Sequence, residues 1–335
     1  MPTIAFVGCA HIHTPGFINM IKGRSDTTVK YVWDHLPARG EVRAKETGAT
    51  LVSDLNVIAN DKAVDGVVIC TETDRHEQLV LQFAAARKHL FVEKPLGIGA
   101  ADAYKMADAI EKAGVKFQTG YFQRGAGAVL KLKELVGSGA FGTITRVRGS
   151  NCHSGSLGGW FDSKPNDVAN DWRWMADVKQ SGVGAFGDLG THSLDILLWL
   201  FGEVKSVTAQ LDPVTKRYPG TDESGEAMIR FKSGVIGTLA AGWTDVANPV
   251  QYIVSGTKGH ATIIDGKLHL NLPDQKLNGV VDDLPKGLPH AFELFLDALA
   301  GKQVSLVGAR EAAYRSAVME AMYAGAKDSA WKDVK

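Results

Sequence analysis

Cysteine is scarce in this chain: Cys9, Cys70 and Cys152 lie far apart among 335 residues, with no CxxC pair. That excludes a disulfide framework and fits a reducing compartment. An excess of charge of one sign is also missing, because lysine plus arginine and aspartate plus glutamate both number 37. No overall basic footprint for nucleic acid or an anionic membrane is left. Long apolar runs are lacking too. The strongest, residues 194–201, is broken by Asp195 and falls far short of the roughly 20 residues that span a bilayer. The N-terminus enters a strand pattern with no basic region or cleavage site, so a cytoplasmic location is expected. With 45% hydrophobic residues, 37 glycines and 11 prolines, the composition is that of an ordinary globular protein. The length suggests about two domains.

What is present divides near residue 122. Over residues 1–122 short β-rich runs alternate with helical patterns: strands at 3–8, 28–34, 49–52, 65–70, 89–93 and 116–121, helices at 15–22, 38–47, 76–87 and 100–112. That alternation is the mark of a doubly wound α/β fold, a parallel sheet covered by helices. Over residues 123–335 the strands follow too closely for crossover helices, at 143–152, 205–211, 227–231, 235–244, 250–256, 260–264 and 268–272. They predict an α+β domain with a large, mainly antiparallel sheet. A loose stretch at 154–165 is expected to cover a cleft.

The first strand ends in Gly8-Cys9-Ala10-His11-Ile12-His13, ahead of a helix. In a dinucleotide-binding turn three glycines serve the bend, the pyrophosphate and the helix packing. Here only the first is kept, so the motif by itself is weak, though amides at a helix start still suit a phosphate. The second strand ends in Asp34, placed to bond ribose hydroxyls and to repel a 2′-phosphate. NAD is therefore preferred to NADP, with His35 and Arg39 as residues that could accommodate the phosphate. The plainer reading has Asp34 capping the next helix. His11 and His13 lack a cysteine or carboxylate partner nearby in sequence, so no metal site is expected. Glu93-Lys94-Pro95 closes the fifth strand at the edge where such sheets bind ligands. Further on, Asp188, His192, Asp195 and Trp199 share one face of an otherwise apolar helix. A carboxylate one turn before an imidazole is an orienting partner for acid/base work. His153, Trp160, Asp171, Trp172 and Arg173 offer donors, acceptors and aromatic faces for a hydroxylated substrate. The tryptophans serve equally as core anchors.

Together the Gly8 turn, Asp34, Glu93-Lys94-Pro95 and the run from Trp172 to Asp195 resemble the Gfo/Idh/MocA oxidoreductases, the relatives of glucose-fructose oxidoreductase and inositol dehydrogenase, over essentially the whole chain. The resemblance implies a Rossmann domain joined to an open antiparallel sheet whose exposed face makes homodimers or homotetramers. It implies a cis Lys94-Pro95 peptide, catalytic Lys94, Asp188 and His192, and cofactor contacts from Thr71, Thr73, His76 and Glu93. Two departures stand out: the missing second glycine, and Gln123 and Arg124 in place of an arginine-rich entry to the second domain, where they are candidates for substrate contact. The expected activity is NAD-dependent oxidation of a secondary hydroxyl on a sugar, glycoside or cyclic polyol, or the reverse. The alternatives are transient oxidation with retained NAD to modify or cleave a glycoside, and a non-catalytic nicotinamide-binding sensor.

Overall fold

The computed structural model describes residues 1–334, which form two compact units. The first comprises 1–120, 160–182 and 290–316, and the second 121–159, 183–289 and 317–335. The sequence division at 122 follows chain order, whereas two later segments return to the first unit.

In the first unit the strands β1 (Thr3–Val7), β2 (Thr28–Trp33), β3 (Thr50–Leu51), β4 (Gly66–Ile69), β5 (His89–Val92) and β6 (Phe117–Thr119) pair in parallel, in the order β3-β2-β1-β4-β5-β6. Ile4, Phe6, Val67, Val68, Leu90 and Phe91 have no solvent exposure, as expected of strands covered on both faces. The helices α1 (Thr14–Lys22), α2 (Pro37–Thr47), α3 (Leu55–Asn60), α4 (His76–Ala85) and α5 (Ala100–Ala113) alternate with them. The strand order reverses between β1 and β4, and ligands bind outside the carboxyl ends at such a point.

The second unit contains α6 (Gly127–Gly137) and a nine-stranded sheet. Its strands are β7 (Ile144–Cys152), β8 (Val204–Asp212), β9 (Ser224–Phe231), β10 (Ile236–Gly242), β11 (Val250–Gly256), β12 (Gly259–Ile264), β13 (Lys267–Leu272), β14 (Leu277–Val280) and β15 (Lys332–Asp333). The order is β14-β13-β12-β11-β7-β10-β9-β8-β15, and only β7 and β10 run parallel. Between these strands the chain forms α7 (Val178–Ser181), assigned to the first unit, and α8 (Ala185–Phe201), which packs on β7 and β10. Along β9 buried and exposed residues alternate, so one face is covered and the other open. No helix among the described residues is long and apolar enough to cross a membrane.

Sequence periodicity misses β14, whose four residues are all exposed, and the two-residue β15. The helices expected above also omit α9 (Ala291–Leu299), although its apolar residues are helically spaced. That helix is opened by His290, whose Nδ1 accepts from Phe292 N–H while Glu293 accepts from His290 N–H, a capping box with an uncommon first residue. Phe292, Phe295 and Leu296 then enter one core cluster with Ile4, Phe6, Phe17 and Phe91. Phe292 stacks on Phe17 at 4.6 Å and meets Phe91 edge-on at 5.1 Å. Truncating a fully buried aromatic costs about 3–5 kcal/mol. Phe292→Ala is therefore expected to lower the unfolding free energy by about that much in urea titration. A loss under about 1 kcal/mol would show that α9 adds little to the first unit.

Candidate functional site

Gly8 leaves β1 with φ +81°, and a Cβ there would stand 2.0 Å from Thr71 Cγ2. The two sides of the switch point therefore close on each other only around glycine. Gly8 N–H donates to the Trp33 carbonyl and His11 N–H to the Cys70 carbonyl, tying the turn to β2 and to the end of β4. The Ala10 carbonyl accepts from Trp174 Nε1 at 3.0 Å, and Ile12 is half-buried. Arg43 similarly reaches the Ala169 carbonyl and Asn170 Oδ1, so the stretch 160–182 is pinned to the turn after β1 and to α2 of its own unit.

Glu93, just past β5, has no solvent exposure. Its Oε2 accepts from Lys94 N–H at 2.9 Å, and Oε1 lies 3.0 Å from His13 Nδ1. Burial alone would push this carboxyl up. The neighbouring His11 and His13, the His13 hydrogen bond and Lys94 outweigh burial and hold it well below the usual carboxylate range. An ionised carboxylate only accepts, so His13 Nδ1 is the donor. His11 Nδ1 accepts from His13 N–H at 3.2 Å, which puts its own proton on Nε2, 3.8 Å from Glu93 Oε2. Glu93 thus supplies the carboxylate partner that the histidines lack in sequence, and the three potential ligand atoms lie within 4.8 Å. The geometry is that of one imidazole, His13, hydrogen-bonded to the carboxylate, with a second, His11, facing it at 3.8 Å. Gly120 completes the pocket, since a Cβ there would come within 2.8 Å of Glu93 Oε2.

The hydroxyls of Thr71 and Thr119, buried beside the carboxyl ends of β4 and β6, have no hydrogen-bond partner within the protein. Buried polar groups are normally satisfied, so this edge fits a ligand that brings hydrogen-bonding groups, as a dinucleotide does. Thr73 is buried, and His76 Nδ1 contacts the Leu96 carbonyl at 3.1 Å. Lys94 is 3% exposed, and the Lys94-Pro95 peptide is cis, as the resemblance implies. Asp34 is buried in a two-pronged ion pair with Arg39, and His35 Nδ1 lies 3.6 Å from it. Trp160 and Arg173 are exposed, Trp172 lies under Lys164, and Asp171 accepts from Ser163 Oγ and Arg173 N–H. Sequence reasoning gave Glu72 no role, although its Oε1 accepts from Arg39 at 3.0 Å.

In the second unit α8 starts at a cap assembled from distant residues. Tyr323 Oη accepts from Gly184 and Gly187 N–H, and Asp222 accepts from Phe186 N–H and from Tyr323. This satisfies amides left open at the start of the helix that carries Asp188 and His192. Asp188 Oδ2 accepts from the buried Trp243 Nε1 at 3.1 Å, a partner that no sequence spacing announces. His192 is 4% exposed, with Tyr121 edge-on at 6.1 Å and Phe122 at 5.2 Å. Gln123 accepts from Tyr252 Oη at 2.6 Å, and Arg124 forks onto Asp195 at 2.8 and 2.6 Å. Both candidate substrate contacts are thus tied within the unit, and Arg124 pairs with the third polar residue of the α8 stripe. His153 Nδ1 accepts from Gly155 N–H.

A family model described as oxidoreductase family, NAD-binding Rossmann fold, matches residues 3–121, and one described as GFO/IDH/MocA C-terminal domain matches 129–262. The chain is 29% identical over 253 residues to 2,7-anhydro-N-acetylneuraminate hydratase of Escherichia coli, covering 74% of this chain and 63% of that protein. Levoglucosan dehydrogenase of Pseudarthrobacter phenanthrenivorans is 28% identical over 62% of this chain and 57% of its own length. Myo-inositol 2-dehydrogenase of Thermotoga maritima is 30% identical over 62% of this chain and 58% of its own length. The match thus spans less than two thirds of each of these relatives. A solved levoglucosan dehydrogenase in complex with NADH and L-sorbose superposes with TM-score 0.83 at 20% identity, covering 100% of this chain and 99% of that one.

Because folding lowers the Glu93 pKa, the ionised form stabilises the protein above the unfolded value of about 4.3, and that contribution is lost as pH falls toward the folded value. Glu93→Gln is expected to remove about 1–3 kcal/mol near neutral pH and to flatten the acid loss of stability below about pH 4.3. Denaturant titrations across that range check it, and parallel curves for the two proteins would contradict an ionised Glu93.

Proposed function

The chain belongs to the GFO/IDH/MocA oxidoreductase family, and from that premise we propose that it oxidises a secondary hydroxyl of a sugar, glycoside or cyclic polyol, or reduces the matching ketone, with NAD. The observation that carries the reading is the nucleotide edge of the first unit: the Gly8 turn, the ionised Glu93 and two buried threonine hydroxyls without a protein partner. The named dehydrogenases among the relatives support the substrate class. Gly8, Thr71, Thr73, His76, Glu93 and the turn residues 10–13 would hold the dinucleotide, whose nicotinamide supplies hydride acceptance when bound.

His192 would take the hydroxyl proton of the bound alcohol, which on loss of hydride to the bound cofactor would become the ketone. Asp188, fixed by Trp243, orients the imidazole. Lys94 donates to the reacting oxygen and stabilises the charge that develops on it. His153, Asp171, Trp172 and Arg173 contribute substrate contacts. A second reading is favoured by one relative's name: a hydratase causes no net oxidation, so the same residues would serve a transient oxidation with retained NAD.

The outward face of the nine-stranded sheet, with Arg148, Glu226, Thr238 and Gln251 around a depression of about 350 Å³, supports a homodimer or homotetramer. Sedimentation is expected to give twice or four times the 35.9 kDa chain mass, and a monomer would contradict it.

The function is tested by following reduced nicotinamide over inositols, anhydrosugars and glycosides, with products analysed in parallel. Accumulating reduced cofactor with a ketone is expected. Product without reduced cofactor selects the transient reading, and neither signal with tight binding selects the sensor. His192→Ala is expected to bind NADH as the parent does and to lose about 10²–10⁴ in turnover. Near-parental turnover would remove His192 from its role.

A further inference from the structure

Glu72, in the turn after β4, has no part in the chemistry above, yet it is 3% exposed. Its Oε1 accepts from Arg39 Nη2 at 3.0 Å. Its Oε2 makes no hydrogen bond, with His35 Nδ1 and Arg75 Nε each 3.5 Å away. Arg39, also 3% exposed, directs Nε to Asp34 Oδ2 at 2.8 Å and Nη2 to Oδ1 at 2.9 Å. The same two oxygens accept from Cys9 N–H and Leu36 N–H, each at 2.8 Å. A carboxylate has about four lone-pair sites, so donors of the chain itself fill Asp34. The acid at the end of β2, where a dinucleotide's ribose hydroxyl is ordinarily bound, has no acceptor to spare. The arginine that would serve a 2′-phosphate is clamped between two carboxylates.

We propose that Glu72 sets the choice at the dinucleotide's 2′-position: it holds Arg39 away from a 2′-phosphate and offers its own Oε2 to a ribose hydroxyl, so that NAD binds and NADP is rejected. Two buried carboxylates around one buried guanidinium leave surplus negative charge. A phosphate dianion entering there meets repulsion in a poorly screened environment, with Arg39 already committed. Arg75 is 44% exposed and offers only a screened counter-charge. A hydroxyl, by contrast, donates to a buried oxygen that has no hydrogen-bond partner. Glu72→Gln removes one of the two negative charges and leaves Arg39 paired with Asp34 alone, lowering the repulsion that a phosphate meets.

This inference rests on the dinucleotide reading above, and the test separates the two. NADH and NADPH are titrated by fluorescence into the full chain, into Glu72→Gln, and into Asp74→Asn as a control that removes a neighbouring exposed charge without touching Arg39. The parent is expected to bind NADPH at least about tenfold more weakly than NADH, and Glu72→Gln to narrow that ratio about tenfold, with Asp74→Asn within about twofold of the parent. An unchanged ratio in Glu72→Gln, or an equal shift in Asp74→Asn, overturns the proposal and leaves dinucleotide binding intact. A parent that binds neither nucleotide overturns both. Should Glu72→Gln not fold, ADP and 2′,5′-ADP are compared as competitors of NADH on the parent. At least about tenfold weaker competition by 2′,5′-ADP is expected, and equal competition overturns the proposal.

Discussion

A carboxylate without solvent exposure must be paired or neutral, and Glu93 is kept charged by what surrounds it. His13 and the Lys94 amide bond to it, the His11 Nε2 proton is aimed at it, and Gly120 leaves room for it. This arrangement accounts for the composition of the first βα turn. Where a dinucleotide turn ordinarily spends glycines, this one carries two imidazoles, because their N–H groups answer a carboxylate brought up by β5. The parallel sheet sets that meeting: β1 and β5 both flank β4, so residues 80 positions apart share one edge.

The second unit solves a comparable problem at α8. A helix whose residues 185–198 are all buried carries Asp188, His192 and Asp195 along one stripe. Asp195 is neutralised by the Arg124 fork, Asp188 is bonded by Trp243, and the imidazole is left between Tyr121 and Phe122. Partnered in this way, the two buried carboxylates of the stripe are each held in one geometry. The cap from Tyr323 and Asp222 extends the same logic to the helix start.

Legibility in the sequence follows the range of each interaction. The runs TIAFV, GVVI and HLFV announce buried parallel strands because both faces of each must be apolar, and α8 announces itself by helical spacing. The exposed β14 gives no comparable local signal, whereas α9 does carry helical spacing, with Phe292, Phe295, Leu296 and Leu299 at i, i+3, i+4 and i+7, but opens on an uncommon histidine cap. Of the candidate site, Lys94, Asp188 and His192 stand out by their neighbours in sequence. Trp243, Glu72 and the joining of Glu93 to His11 and His13 depend on contacts between distant strands, which periodicity does not encode. Asp34 shows the converse. Its position at the end of β2 was legible, but its saturation by Arg39, Cys9 and Leu36 was not.

The central claim is that Glu93 is ionised, accepts the His13 Nδ1 proton and is faced by His11 Nε2. ¹⁵N NMR of the histidine side chains in the full chain measures it directly. The account predicts a protonated Nδ1 on His13 and, on His11, a protonated Nε2 with an unprotonated Nδ1. A His13 Nδ1 lone pair facing a protonated Glu93, or a His11 proton on Nδ1, would contradict it.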